Sequence, residues 1–182
     1  TLDEKLYNSP AMALSVTMKA VAAAGRLAHL NFERGCQVLA KYDPVLAAEI
    51  DKDEDCIDQF TDNSDRFLIG LSKVVETEAD DRQLDMLMQT VPNFERIGDY
   101  ATNMVELAQR LQSENAAFSD MAKKELALIT QAVNEILEIT VDAFSKDDNE
   151  AAKAIEPLEE TIDDMIMMLK DRHTKRLKNG QC

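Results

Sequence analysis

The residues best placed for chemistry are acidic. Glu95, Asp99 and Asn103 are spaced four apart, so on a helix they form one stripe of oxygen donors. Glu54 and Asp58 repeat that spacing, with Asp51 one turn earlier. Two such stripes on adjacent antiparallel helices would bring four or more carboxylate oxygens together. That donor set suits hard or borderline cations such as magnesium, manganese or iron. Like charges held that close repel strongly unless a metal or a proton stands between them. Gly98, on the adjoining row, would let a neighbouring helix approach. Spacing alone is a weak signal, because Glu49/Asp53, Asp81/Asp85, Glu138/Asp142 and other pairs share it. In an acidic helical chain such a pair is ordinarily a solvated face.

These stripes need long helices to carry them, and the composition supplies the means. The chain has 182 residues, 45% of them apolar and 30% charged, a globular balance with enough material for one or two cores. Only 5 Gly and 4 Pro occur, with 5% aromatics, which argues against sandwiches and barrels. The net charge of −15 disfavours nucleic acid and suits cations or basic partners. Cys36, Cys56 and Cys182 lie far apart without a CxxC pair, so a reducing, cytosolic setting is expected. No stretch approaches 18 consecutive apolar residues, so no membrane span is expected, nor is a signal peptide at Thr1.

Heptad rows mark three helices of about 30 residues, each roughly 45 Å long. The first opens at Ser9-Pro10, with rows Leu14, Val21, Ala28, Gly35 and Met18, Gly25, Phe32, Leu39. The second opens at Asp43-Pro44, an N-cap followed by a first-turn proline. Its rows are Ile50, Ile57, Ser64, Leu71 and Asp53, Phe60, Phe67, Val74. The third begins near Asp80, with rows Leu84, Val91, Gly98, Val105 and Leu87, Phe94, Ala101, Ala108. Pro92 inside it predicts a kink, not a break. Together they predict an up-down-up bundle over residues 1–112. After a polar link from Gln112 to Ser119, a second unit is expected over 113–182. It would hold a fourth helix from Ala122 to Phe144 and a fifth from about Asn149 to Lys178, kinked by Pro157.

An internal repeat supports this duplication. Asp43–Asp58 aligns without a gap on Asp148–Asp163, with identities at Asp43/Asp148, Ala47/Ala152, Ile50/Ile155, Glu54/Glu159, Ile57/Ile162 and Asp58/Asp163. Helix two therefore recurs as helix five. The second unit lacks a third helix, so the fold class expected is all-α: two tandem three-helix bundles, the second incomplete.

Phe94-Glu-Arg-Ile-Gly-Asp-Tyr-Ala-Thr-Asn103 resembles the signature helix of the PhoU family, which typically reads Leu-Glu-Arg-Ile-Gly-Asp-His-Ala-x-Asn. The repeated Glu-x-x-Ile-Asp helix is similar to that family's repeat. The opening Thr1–Leu14 and the closing Arg172–Cys182 resemble PhoU-like domains at the cytosolic end of sodium/phosphate cotransporters. The resemblance implies paired three-helix bundles whose carboxylate motifs bind divalent or ferric metal, whether iron, manganese, magnesium or zinc. Carried over, the ligands are Glu54, Asp58, Glu95 and Asp99, with Asn103 beside them, and Glu159 and Asp163 in the second unit. The second signature helix is missing, and Tyr100 stands where the family has His. The implied function is non-enzymatic regulation of phosphate transport at the inner face of the membrane. The partner would be a membrane-embedded transporter portion or, for a freestanding regulator, a sensor kinase; homodimerisation stays open.

The remaining residues suggest less. His29 reads as a packed or interface histidine, and His173 as charge compensation at a helix end. Cys36 and Cys56 read as small buried residues and Cys182 as exposed. The methionines read as core or contact surface. A di-iron enzyme would need Glu-x-x-His pairs, and none occurs. No catalytic triad or nucleotide loop is visible, which leaves a metal-free helical adaptor as the remaining alternative.

Overall fold

A computed structural model describes residues 2–146, 164–165, 167–168, 170–172, 174–176 and 178–180. A 3-10 turn over Glu4–Asn8 leads into four long helices: α1 (Pro10–Ala40), α2 (Pro44–Leu71), α3 (Glu78–Ser113) and α4 (Asp120–Lys146). Helical backbone resumes at the described residues between 164 and 178. No strand occurs among the described residues, so the all-α expectation holds. The aligned repeat Asp148–Asp163, with Pro157, Glu159 and Asp163, lies outside the described residues, as do His173 and Cys182.

The helix starts are built as their sequences require. The Asp43 carboxylate accepts from the Val45 and Leu46 amides at 2.9 and 3.3 Å, and Pro44 follows with no amide to satisfy. Thr77 caps α3 by accepting from the Asp80 amide at 3.1 Å. Ser9 occupies the N-cap of α1 but makes no side-chain capping bond. At the end of α3, Asn115 takes a left-handed conformation with φ 50°. The Ala116 amide then reaches back to the Leu111 carbonyl at 2.9 Å, satisfying an orphan acceptor and turning the chain toward α4. Asp43→Ala is expected to cost about 1 kcal/mol, read as a lower urea midpoint with an unchanged m-value.

α1 and α3 form the most extensive pairing, with α2 closing the bundle against both. The expected rows are buried in α3 throughout and in α1 except for half-buried Leu39. α2 differs. Its second buried row is Ala47, Glu54, Thr61 and Leu68, not Asp53, Phe60, Phe67 and Val74, of which only Phe67 is fully buried. Asp53 faces α1 instead, where Arg34 donates to it at 2.6 Å. Polar residues at 54 and 61 hid the true row from a purely apolar template.

The core is divided. One apolar cluster joins Leu14, Val21, Ile57, Leu68, Leu87 and Phe94 among others; a second joins Val38, Ile50, Ala101 and Val105. Buried Glu54 lies between Ile50 and Ile57, where the two clusters part. At the lower end, the Tyr7 ring stacks on Phe67 with centroids 5.0 Å apart, and its hydroxyl donates to the Phe67 carbonyl at 3.1 Å. α3 runs unbroken through Pro92, which is exposed together with Met88. Solvent can therefore satisfy the Met88 carbonyl that proline leaves without an amide partner.

α4 packs on α1 through its C-terminal half, where Leu137, Val141 and Phe144 are buried. Arg26 donates to the Ser145 hydroxyl at 2.6 Å, and Phe144 meets Phe94 edge-on at 6.3 Å. Near the start of α4, Glu125 takes both terminal nitrogens of Arg176, at 2.8 and 2.7 Å. This bidentate pair ties the C-terminal helical residues to α4. By length and mean hydropathy alone α1 could cross a membrane, although it contains no run of apolar residues approaching 18. Half of that stretch is buried inside the bundle. Its many alanines raise the average without forming a continuous run of large apolar side chains.

Candidate functional site

The α2 and α3 stripes meet. Gly98 presses against the Glu54 side chain: a Cβ added at 98 would fall on the Glu54 carboxylate. Without that Cβ the two backbones approach closely enough for a carboxylate to sit between them. Glu54 is only 9% exposed, and among the described residues neither carboxylate oxygen has a hydrogen-bond partner. A buried carboxylate without a partner is costly in the charged form.

The neighbouring charges raise that cost. Glu54 is pushed up from its ordinary 4.5 to about 7, first by burial, then by Asp58, Asp99, Glu95 and Asp55. Asp58 is raised by burial and by Asp99, Asp55 and Asp62. Glu95 is raised by burial and by Asp58, Asp99, Asp65 and Asp62. Mutual repulsion of this kind requires the groups to share one region. The α2 and α3 carboxylates therefore form a single acidic seam along the line where the helices touch.

Glu54, Asp58, Glu95 and Asp99 thus lie close enough along one seam to repel one another, although among the described residues no three acidic, imidazole or thiol groups converge on one point. Asn103, one turn further along α3, is exposed. Glu159 and Asp163 lie outside the described residues. Sequence reasoning missed two features of the seam. Asp55, Asp62 and Asp65 extend the field along α2, and Glu54 is buried while its neighbours are not. The available signal was position 54 itself, seven residues from Ala47 and Thr61 on an otherwise inward-facing row.

The other candidates fall into place separately. His29 is half-buried between α1 and α4, its Nε2 lying 3.2 Å from Asn134 Oδ1, as expected of an interface histidine. Cys36 is half-buried, and burial is the main cause that raises its thiol pKa. Cys56 is exposed, against the expectation of burial. It lies half a helical turn from the inward row of Glu54 and Ile57, so α2 turns it to solvent.

The chain is 26% identical over 157 residues to the phosphate-specific transport system accessory protein PhoU homolog of Aquifex aeolicus (strain VF5). That alignment covers 86% of this chain and 70% of that protein. Residues 21–108, which contain all of α2 and every carboxylate of the seam, match the PhoU domain family.

Proposed function

We propose that this chain is a non-enzymatic regulatory domain for phosphate transport and homeostasis, acting at the cytosolic face of the membrane through a carboxylate metal site between α2 and α3. The observation that carries the reading is Glu54, buried and unpartnered beside Asp58, Glu95 and Asp99, within the segment matched to the PhoU domain.

The donor chemistry fits a divalent or ferric ion. Every group is an oxygen donor, Glu54 offers two free buried oxygens, and Gly98 leaves room for its carboxylate. Among the described residues no three acidic, imidazole or thiol groups already close on one point. To hold a cation with Glu54, the exposed side chains of Asp58 and Asp99, with Asn103 at the edge, would have to turn toward it. A bound cation supplies the positive charge that cancels the repulsion along the seam. The protein's part is to hold the two acidic ridges face to face, so that α2 and α3 are tied together when that charge is present.

Two settings share this chemistry. The likeness of Thr1–Leu14 and Arg172–Cys182 to cotransporter domains supports a portion of a sodium/phosphate symporter. The relative named as a transport accessory protein supports a freestanding regulator working with a transporter and a sensor kinase. Apolar spans encoded directly upstream of Thr1 would select the first, and an initiator Met immediately before it the second.

Elemental analysis of protein purified without chelator tests the site. Wild type is expected to retain metal, and Glu95→Gln/Asp99→Asn to lose most of it. Equal content in both would refute this site, and no metal in either would leave a metal-free helical adaptor. The regulatory role is tested by phosphate uptake in the source cells. With the double variant, uptake is expected to lose its dependence on external phosphate; unchanged uptake control would refute the role.

A further inference from the structure

A groove of about 1070 Å³ opens between α1, the C-terminal end of α3 and α4. α2 takes no part in it, so it is separate from the acidic seam. The C-terminal half of α4 is the more deeply packed, with Leu137 and Phe144 buried, and the α3–α4 connection at Ala116, Ala117 and Phe118 also lines the groove. Val38 and Ala108 form the apolar base, and Leu39, Leu111 and Leu126 the walls.

The groove's charges are segregated. The contacts His29 to Asn134 and Cys36 to Thr130 show that α1 and α4 run antiparallel along it. Glu33, Glu135 and Glu138 therefore gather at the His29 end, where Glu33 lies 3.8 Å from His29, and Lys41 and Lys123 at the Tyr42 end, where Lys123 lies 4.0 Å from Asp120. From His29 to its end at Ala40, α1 covers about 16 Å at about 1.5 Å per residue, and Lys41 and Tyr42 carry the groove beyond it. An apolar trough of that length, acidic at one end and basic at the other, has the form used for helix-in-groove recognition.

We propose that this groove docks an amphipathic helix of a partner protein. The helix is about 13 residues long, with Lys or Arg at the end lying by Glu33, Glu135 and Glu138, and Asp or Glu at the end lying by Lys41 and Lys123. Charge complementarity selects this occupant. A second copy of a chain carrying −15 meets general repulsion, and a small apolar molecule leaves both charged ends unmatched.

The test uses a display library of helices of about 14 residues. Leu is fixed along one face, and Lys, Glu, Gln and Ala vary elsewhere. The library is selected against the full chain at about 0.15 M salt, and selected peptides are measured by fluorescence anisotropy. Winners are expected to carry Lys at one end and Glu at the other. Ala127→Arg, at an exposed position lining the groove, is expected to weaken them at least tenfold. Glu135→Lys/Glu138→Lys, both exposed, should invert the charge preferred at that end while thermal melts stay unchanged. The proposal is overturned if no peptide binds saturably, or if neither variant alters binding. It is also overturned if sedimentation shows a dimer that Ala127→Arg dissociates, or if only a small apolar dye saturates the groove.

Discussion

In the presence of chelator, the chain is expected to lose stability as pH rises from about 4.5 to about 7 and, on the proposed metal site, to recover it when a divalent cation is added. Glu54 titrates near 7 in the folded chain and near its ordinary 4.5 when unfolded. Between those values the folded form holds a proton that the unfolded form has released. Folding then takes up protons, so stability is greatest below the unfolded value and falls as pH climbs through the folded one. Asp58 and Glu95 are raised as well and add to the same slope. The charges that raise these three groups, besides one another, are Asp55, Asp62 and Asp65 on α2 and Asp99 on α3. A cation at about 100 times its dissociation constant adds about 2.7 kcal/mol. For a chain of this size that corresponds to about 5–10 °C in Tm. Thermal melts across this pH range, with chelator and with manganese, measure both effects. Glu54→Gln should flatten the pH slope and remove most of the metal response. A slope that rises with pH, or a full metal response in the variant, would show that Glu54 is not the group at issue.

The second large effect is expected at Phe94. Its ring lies against the bare Cα of Gly25, where an added Cβ would come within 2.6 Å of it, and it meets Phe144 edge-on. One side chain therefore joins α1, α3 and α4 at 3% exposure. Phe94→Ala removes those contacts and leaves a cavity that three rigid helices cannot fully close, so a loss of about 3–5 kcal/mol is expected from urea denaturation. Phe94→Leu should cost much less. If the alanine variant loses under about 1 kcal/mol, the junction of α4 with the bundle is not held there.

Burying Glu54 interrupts the core at the level where the two apolar clusters separate. An apolar residue there would pack Ile50 to Ile57 without a break, and the carboxylate forgoes that packing. Departures of this kind, where a local choice opposes the fold, concentrate at functional sites.

By itself the sequence determined the helices and their order. Period-seven rows, Asp43-Pro44 and the alternation of apolar and acidic residues are local properties, and local hydrogen bonding and one-sided burial suffice to set them. The Glu95–Asp99 and Glu54–Asp58 stripes were legible for the same reason: four residues bring side chains to one helix face whatever surrounds it. Which stripes meet was decided only in three dimensions. Asp81/Asp85 and Glu138/Asp142 have the same spacing as Glu95/Asp99, and no rule within one helix separates them. The separation came from Gly98, whose missing side chain lets α2 lie close enough to trap Glu54. The inward turn of Glu54, the outward turn of Cys56, the pairing of Asp53 with Arg34 and the deeper packing of the C-terminal half of α4 were settled likewise. Each depends on how one helix rotates against another, and that rotation minimises exposed apolar surface over the whole assembly, not over any single segment.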